Sequence, residues 1–383
     1  MLDFAIIGAG ASGLMFASTL DRNRFKNIAL FDANSKIGQK IKISGGAKCN
    51  ITNEFAKYDR YLGDNDFAKE ILSKFSKDDL LKFLRRNNIE PKLREKLVKG
   101  AYFCESAQDV IDMFENILKD TKIYLNTKVL DIEYFEGYFK IFTNNAEFRA
   151  KKVVISSGGL SFATLNASDI AYKIAEKFGH KIITPTPALV GFTVQKEQFW
   201  FKDLSGISLD VNIKLENKNI EGSLLFAHKG CSGPAILNSS LYWKKGKFFI
   251  DFLVNKNIDK LLKTNKNIST AIPLPKRFLQ EFLKSIELED KACSKLSEDE
   301  KNRLKILKNY EMSPAGNFGF TKAEVTKGGI CTDEVNHQTF ESKKHKNLFF
   351  IGECLNLTGE LGGFNFQMVF AQAFICAIGQ NNS

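Results

Sequence analysis

Hydrophobic and polar positions along the 383-residue chain fall into blocks of different period. Phe4-Ala5-Ile6-Ile7 is a short unbroken apolar run, the pattern of a parallel strand buried on both faces. Gly8 to Gly13 predicts a turn, and Leu14 to Leu20 continues as helix. Ile28-Ala29-Leu30-Phe31 reads as a second buried strand ending at Asp32. A Gly-, Ser- and Lys-rich loop covers Ala33 to Asn53, and residues 66–90 read as helical, with Ser76 and Asp79 spaced as a capping box. Gln108–Leu118 predicts another helix. Short strands are expected at Ile123–Leu125, Val129–Tyr134, Tyr138–Thr143 and Val153–Ile155, the last running into Ser156-Ser157-Gly158-Gly159. Ser168–Phe178 closes this block as a helix, with Gly179 just past its end.

Pro185 and Pro187 punctuate the chain and predict a domain crossing. From 189 to 254 the period becomes that of strands, such as Val211–Leu215 and Phe248–Phe252. Residues 258–309 read as amphipathic helix, with Pro275 at one helix start and Ser297-Glu298-Asp299-Glu300 opening another. Strand-like residues return at 323–351, and a last glycine turn and helix occupy Gly359 to Gly379. This order, α/β then β then α then α/β, predicts an α/β fold. One Rossmann-like nucleotide-binding domain is built from both ends of the chain, with a long insertion between them. The boundaries expected are 1–188 with 340–383 for that domain. The first part of the insertion, 189–256 with 318–339, is rich in strands, and 257–317 is helical.

Composition narrows the class. Hydrophobic residues at 44% and charged residues at 26% are ordinary for a globular chain and exclude a disordered or fibrous one. Lys and Arg exceed Asp and Glu by 55 to 44, but only nine of the basic residues are Arg. Arg is the residue of bidentate base readout, so the excess reads as a solvated surface, and no nucleic-acid partner is expected. Seven Cys without a C-x-x-C pair form neither a disulfide framework nor a metal site, and fit a reducing, cytoplasmic location. The apolar N-terminus lacks a basic leader and a cleavage site. No run reaches about 18 uninterrupted apolar residues, so no membrane association is expected.

The chemistry begins at Gly8-Ala9-Gly10-Ala11-Ser12-Gly13, a G-x-G-x-x-G directly after a strand and opening a helix. The first Gly permits the turn, the second lets a pyrophosphate approach the backbone, and the third lets helix and strand pack closely. Asp32 stands at the end of the second strand, where a carboxylate accepts hydrogen bonds from a ribose diol. This motif suits FAD and NAD alike. A second glycine turn, Gly362-Gly363-Phe364-Asn365, opens the last helix shortly after Gly352-Glu353. A helix N-terminus there can stabilise negative charge on a reduced flavin ring, and Glu353 can hold a ribityl hydroxyl. Such a two-ended site favours the extended FAD.

Several blocks carry a family resemblance. Gly38-Gln39-Lys40 through Ser44-Gly45-Gly46-Ala47-Lys48-Cys49-Asn50-Ile51-Thr52-Asn53 resembles the G-R-K-x-x-x-S-G-G-G-R-C-N-x-T-N signature of the HI0933-like (BaiN/YhiN-type) flavoproteins. Leu225 to Pro234 is similar to that family's L-F-T-H-x-G-x-S-G-P, Val325 to Ile330 to its V-T-x-G-G-V, and Thr339 to Lys343 to its T-M-E-S-K. Gly352-Glu353-Cys354-Leu355-Asn356 and Gly362 to Asn365 resemble G-E-x-L-D and G-G-Y-N. Gln39, Ala47, Lys48, Asn356 and Phe364 depart from the pattern, and a G-R-x-F-P element appears as Gly100-Ala101-Tyr102-Phe103-Cys104. The resemblance spans essentially the whole chain. It implies a two-ended FAD domain, a β-barrel-like insertion and a small helical domain within it. The activity implied is that of NAD(P)/FAD-dependent oxidoreductases, a family whose members are also described as aminoacetone oxidases and bile-acid-intermediate reductases.

The cofactor-binding residues expected are Gly8, Gly10, Ala11, Ser12 and Gly13 at the pyrophosphate, Asp32 and Ala33 at the ribose, and Val129 at adenine. Lys40, Ser44 and Gly46 are placed in a loop over the flavin. Ser157 and Gly158, Gly352 and Glu353, and Gly362, Gly363, Phe364 and Asn365 complete the set. His228, beside a glycine-rich turn, is the acid/base candidate. Cys49 has no sequence neighbour to pair with and reads as a packing residue. His180, His337 and His345 read as surface or solvated histidines. The substrate pocket is expected between the His228 loop and Thr326–Gly329, with Gly328-Gly329 allowing close approach to a ring. The reading is a two-electron transfer to or from a small organic substrate, the other partner being NAD(P)H docking transiently, dioxygen, or the substrate itself. The alternatives are a tRNA-directed flavoprotein and a flavin-binding regulator without turnover.

Overall fold

The computed structural model describes residues 1–94, 98–216 and 218–382. The chain divides into two compact units, Met1–Pro187 with Glu324–Ser383, and Ala188–Ala323. Each has its own hydrophobic core.

The first unit is built on a sheet whose parallel core runs, edge to edge, Lys122–Tyr124, Ile28–Phe31 (β2), Leu2–Ile7 (β1), Glu147–Ile155 and Leu348–Phe350. The strand Glu147–Ile155 is shared along its length. Its first half pairs antiparallel with Tyr138–Thr143, which pairs on with Val129–Phe135. Its second half pairs with the last strand, Leu348–Phe350. Phe4 to Ile7 of β1 and all of β2 are buried, as a parallel sheet covered on both faces requires, and Phe31 packs on Phe148 of Glu147–Ile155 at 4.8 Å between ring centroids. The helix Ala11–Thr19 (α1) packs against the C-terminal helix Phe364–Asn381, so both chain ends build one layer.

Local signals set the flanking helices. Ser76 and Asp79 form a reciprocal capping box at the start of Lys77–Arg86. Gly179 follows Ile170–Lys177 at positive φ. Residues 324–339, expected in the insertion, lie in the first unit. Their strand Val325–Ile330 pairs with Ile182–Ala188, which tolerates Pro185 and Pro187 because it belongs to a two-stranded sheet with free edges.

The second unit carries a seven-stranded antiparallel sheet ordered Tyr310–Met312, Phe248–Asp251, Ser208–Leu215, Lys218–Ala227, Gly230–Ser232, Phe192–Val194, Pro314–Asn317. The strands at its two edges are consecutive in the chain, joined by Ser313 alone. The sheet therefore curls until one bent segment serves both edges, a barrel-like closure that leaves little free edge. Phe192 and Phe248, near opposite edges, meet inside at 5.7 Å between ring centroids. The helices of 258–309 do not form a separate body. Phe278 and Phe282 of Lys276–Ser285 pack with Trp200, Phe226 and Phe252, in the same core as the sheet.

Candidate active site

The first unit brings the sequence-predicted glycine turn, Asp32, Lys40, Ser157-Gly158 and Gly352-Glu353 together at the carboxyl ends of the parallel strands, the usual ligand position in an open α/β sheet. Three glycines in the first turn differ in what surrounds them. A Cβ at Gly13 would lie 1.9 Å from the Gly8 carbonyl oxygen and 2.8 Å from Ser156 Oγ, so strand and helix pack with no space to spare. A Cβ at Gly8 would meet Ser156 backbone at 2.6 Å. At Gly10, the N-cap of α1, φ is −87° and nothing lies within 4 Å of a Cβ. The protein itself gives no reason for glycine there; a ligand backed against the helix N-terminus does.

Asp32 holds this turn in place. Its Oδ2 accepts the Ala9 N–H at 2.8 Å, and its Oδ1 accepts Asn34 N–H and Asn34 Nδ2 at 2.8 and 2.9 Å. The carbonyl oxygens of Asp32 and Asn34 accept from Thr127 and Asn126, which brings the chain leading into buried Val129 alongside half-buried Ala33. A structural role for Asp32 was not foreseen, and Oδ2, which accepts one bond, retains a lone pair for a ribose hydroxyl.

Gly352 places Ser12 at the second end, since a Cβ there would lie 2.5 Å from Ser12 Oγ. Next to it Glu353 Oε2 pairs with Lys40 Nζ at 2.5 Å, while Glu353 Oε1 accepts the Thr326 N–H at 2.9 Å. Thr326 Oγ1 in turn accepts from the N–H groups of Leu160 and Ser161. One carboxylate thus ties the Lys40 loop, the strand at 325 and the turn after Ile155. Beside it Ser157 Oγ is buried with no hydrogen-bond partner among the described residues, and Gly158 faces open space at positive φ. An orphaned hydroxyl and open glycine faces fit a polar, phosphate-bearing cofactor.

Some expected ligands are committed elsewhere. Ser44 Oγ donates to the Ile41 carbonyl, while Gly46 faces open space. Asn365 closes its own loop, with Oδ1 accepting from Gly359 and Nδ2 donating to the carbonyls of Gly359 and Glu360. Phe364 is buried against Tyr61, and Tyr61 Oη donates to the Phe364 carbonyl. A Cβ at Gly363 would lie 2.4 Å from the Thr52 carbonyl, and the Gly362 carbonyl accepts from Asn53 Nδ2. What this loop offers a ligand is the N–H groups opening an 18-residue helix. Gly328 and Gly329 pack on the backbones of Thr184 and Cys354, so their small size serves strand packing and not a ring.

His228 is exposed in the turn between Lys218–Ala227 and Gly230–Ser232, in the second unit. His180 is buried, not superficial: its Nε2 meets Ser342 Oγ at 2.6 Å, and burial lowers its pKa. His337 stacks on Phe67 and approaches Glu70, so it is not simply solvated. Cys49 has a partner far away in sequence. Cys104 donates its N–H to the Cys49 carbonyl at 3.2 Å, and the influence of the Cys49 thiol, together with burial, pushes the Cys104 thiol up.

Sequence reasoning passed over Glu324. It stands two residues before Thr326, is half-buried, and burial raises its carboxyl pKa while the Lys40 charge opposes the shift. Its one sequence signal was its place just ahead of the Val325 to Ile330 block. Among the described residues no group of His, Cys, Asp and Glu could hold a metal ion, and no helix is long and apolar enough to cross a membrane.

Residues 2–379 match the HI0933-like protein Rossmann domain. The chain belongs to the HI0933-like family. It is 34% identical over 391 residues to a ribosomal RNA dihydrouridine synthase of Escherichia coli (strain K12), covering 98% of this chain and 97% of the relative. It is 27% identical over 403 residues to a 3-dehydro-bile acid delta(4,6)-reductase of Clostridium scindens, covering 97% of each. A mutant of E. coli quinol fumarate reductase FrdA shares the fold at TM-score 0.51 and 15% identity, over 100% of this chain and 70% of that one. So does the 3-ketosteroid delta1-dehydrogenase of Sterolibacterium denitrificans, at TM-score 0.51 and 11% identity, over 100% and 99%. This HI0933-like protein is an FAD-dependent oxidoreductase.

Proposed function

We propose that this HI0933-like protein reduces a carbon–carbon double bond conjugated to a carbonyl, and that its substrate is a uracil ring in ribosomal RNA. The observation that carries this reading is the 34% identity to a ribosomal RNA dihydrouridine synthase, sustained over 98% of the chain. Dihydrouridine differs from uridine by two hydrogens across the 5,6 double bond. The bile-acid relative's name describes the same bond class in a steroid, which makes an enone of a small organic substrate the second reading. The relatives' chemistry outweighs the compositional expectation of no nucleic acid, and the net charge of +11 then serves a polyanionic substrate.

Bound FAD supplies the hydride chemistry. The N–H groups at the start of α1 hold its pyrophosphate, Asp32 its ribose, and Glu353, fixed by Lys40 and Thr326, a ribityl hydroxyl. Ser157 Oγ would gain a partner, and the N–H groups opening Phe364–Asn381 would stabilise negative charge on the reduced ring. NAD(P)H is the proposed electron donor, docking transiently, since the sequence has one G-x-G-x-x-G only. His228 is kept as the acid/base candidate, and His228→Ala is expected to retain FAD and slow the substrate-driven flavin step; an unchanged rate removes it from the catalytic groups. The function is tested by comparing ribosomal RNA from cells with and without this protein. Loss of one dihydrouridine on deletion supports the reading, and an identical nucleoside profile refutes it.

A further inference from the structure

We propose that residues 53–61 form the platform that holds the unpaired nucleotides beside the one being reduced, with Phe55 and Tyr58 stacking on bases and Lys99 and Lys69 meeting phosphates; this rests on the ribosomal RNA reading above. A uracil reaches a flavin only after leaving its stack, so the strand on either side of it must be gripped. Single-stranded RNA is gripped by exposed aromatic faces, on which any base can stack, and by cations along its backbone.

The segment is stitched along the loop that opens the C-terminal helix, the loop assigned above to the flavin ring. At one end Asn53 Nδ2 donates to the Gly362 carbonyl at 2.9 Å and to the Lys99 carbonyl at 3.1 Å. At the other, Tyr61–Gly63 pairs antiparallel with Leu357–Gly359, and Tyr61 Oη donates to the Phe364 carbonyl. Beside Tyr61, the Glu360 N–H donates to the Arg60 carbonyl at 3.1 Å. The Arg60 guanidinium pairs with Glu360 at 2.6 Å and lies 5.3 Å from the centroid of the Phe364 ring. Asn53, Tyr61 and Glu360 are buried, so the anchors face inward.

What the segment turns outward is aromatic. Phe55 is 42% exposed and Tyr58 44%. The Phe55 N–H donates to Asn53 Oδ1 at 2.9 Å, and its ring is backed by Gly100, where at φ +72° a Cβ would lie 2.7 Å from ring carbons. Lys99 Nζ stands 6.0 Å from the Phe55 centroid, and Lys69 Nζ, from the helix Asn65–Lys74, 5.9 Å from that of Tyr58. A ring fixed before the ligand arrives loses little freedom on stacking. Of the nearby acids, Glu54 is engaged by Tyr102 and Lys77, and Asp64 caps Asn65–Lys74. Asp59 is exposed and tempers the charge, so stacking carries more of the contact than the lysines do. Lys57 and Asp59, exposed on either side of Tyr58, break the apolar continuity that the core of a protein interface needs.

The test titrates a fluorescein-labelled single-stranded ribosomal RNA transcript with oxidised holoprotein at several salt concentrations and reads anisotropy. Phe55→Leu and Tyr58→Leu keep apolar bulk and remove the flat ring. Each should retain FAD, read from its absorbance, and weaken RNA binding by about 5- to 150-fold. Phe55→Trp should bind at least as well as wild type. Lys69→Gln and Lys99→Gln should each flatten the slope of log affinity against log salt by about 0.7. Phe199, 45% exposed with Lys202 Nζ 3.7 Å from its centroid, is a like pair in the second unit, and Phe199→Leu should bind as wild type does. Wild-type affinity in both Phe55→Leu and Tyr58→Leu, or an equal loss in Phe199→Leu, would overturn the proposal. Dihydrouridine formed in the same transcript by dithionite-reduced protein is measured alongside. If wild type forms it while the leucine variants bind RNA as wild type does, the platform fails and the reductase reading stands. If wild type holds RNA through these rings but forms none, the reading fails and the platform stands. A wild type that neither binds nor reduces the transcript overturns both.

Discussion

The contrast between Gly10 and Gly13 separates what the fold needs from what the cofactor needs. At Gly10 the backbone is extended, with φ −87° and ψ −167°, and a Cβ meets nothing within 4 Å. Gly→Ala at a compatible backbone stabilises by about 0.4–1 kcal/mol through the unfolded chain. Alanine is a poorer N-cap than glycine by roughly the same few tenths to one kcal/mol, so the two effects offset. The apoprotein carrying Gly10→Ala should therefore melt within about 0.5 kcal/mol of wild type, the range of substitutions that touch nothing. FAD affinity should fall, because the methyl occupies the approach of the pyrophosphate. Loss of one charge-assisted hydrogen bond, about 1.5–3 kcal/mol, is roughly a 10- to 150-fold rise in Kd. Gly13→Ala should do the reverse in the first place. A Cβ 1.9 Å from the Gly8 carbonyl must push α1 off β1, which costs about 1–3 kcal/mol of apoprotein stability or more. Denaturant melts of the apoproteins and fluorescence titration with FAD decide the matter. A Gly10→Ala protein that binds FAD like wild type, or a Gly13→Ala apoprotein of wild-type stability, would refute the reasoning.

Three further outcomes follow from named contacts. Asp32→Ala should weaken FAD and also cost about 1–3 kcal/mol of apoprotein stability, because it strands the N–H of Ala9 and two Asn34 donors; an effect on FAD alone would deny the turn-holding role. Glu324 has a folded pKa raised above its unfolded value, so the folded state holds a proton that the unfolded state releases, and stability falls as pH rises from about 4.5 through the folded pKa. Glu324→Gln should thus raise Tm near pH 7 and have no such effect at pH 4, and an equal shift at both would contradict the assignment. Six of the seven cysteines are buried and Cys331 is partly exposed, so a native thiol titration should count one reactive group per chain and a denatured one seven.

What the sequence disclosed and what it withheld follow from the range of the interactions. The glycine turn, Asp32 and the capping boxes at Ser76 and Ser297 are set by residues a few positions apart, or by one strand–helix–strand unit, and they stand where the pattern placed them. The ends that meet at Glu353 were legible because each carries its own glycine signature. The return of 324–339 to the first unit was not, since it depends on pairing with a strand more than 130 residues earlier, and strand pattern does not name its partner. The helices of 258–309 looked like a domain because their period differs from that of the strands. Yet their apolar faces are the other half of the sheet's core. Cys104 and Glu324 escaped for a related reason: a thiol acquires meaning from Cys49 across an antiparallel pair, and a carboxyl from the absence of a partner, neither of which is written locally.

The most direct test of the account is a single-turnover balance. Holoprotein reduced by one equivalent of dithionite is mixed anaerobically with a ribosomal RNA transcript, and the RNA is digested and weighed by mass spectrometry. The account predicts one dihydrouridine, two mass units above uridine at one position, for each FAD reoxidised. Flavin that stays reduced, or that reoxidises without any dihydrouridine, would contradict it.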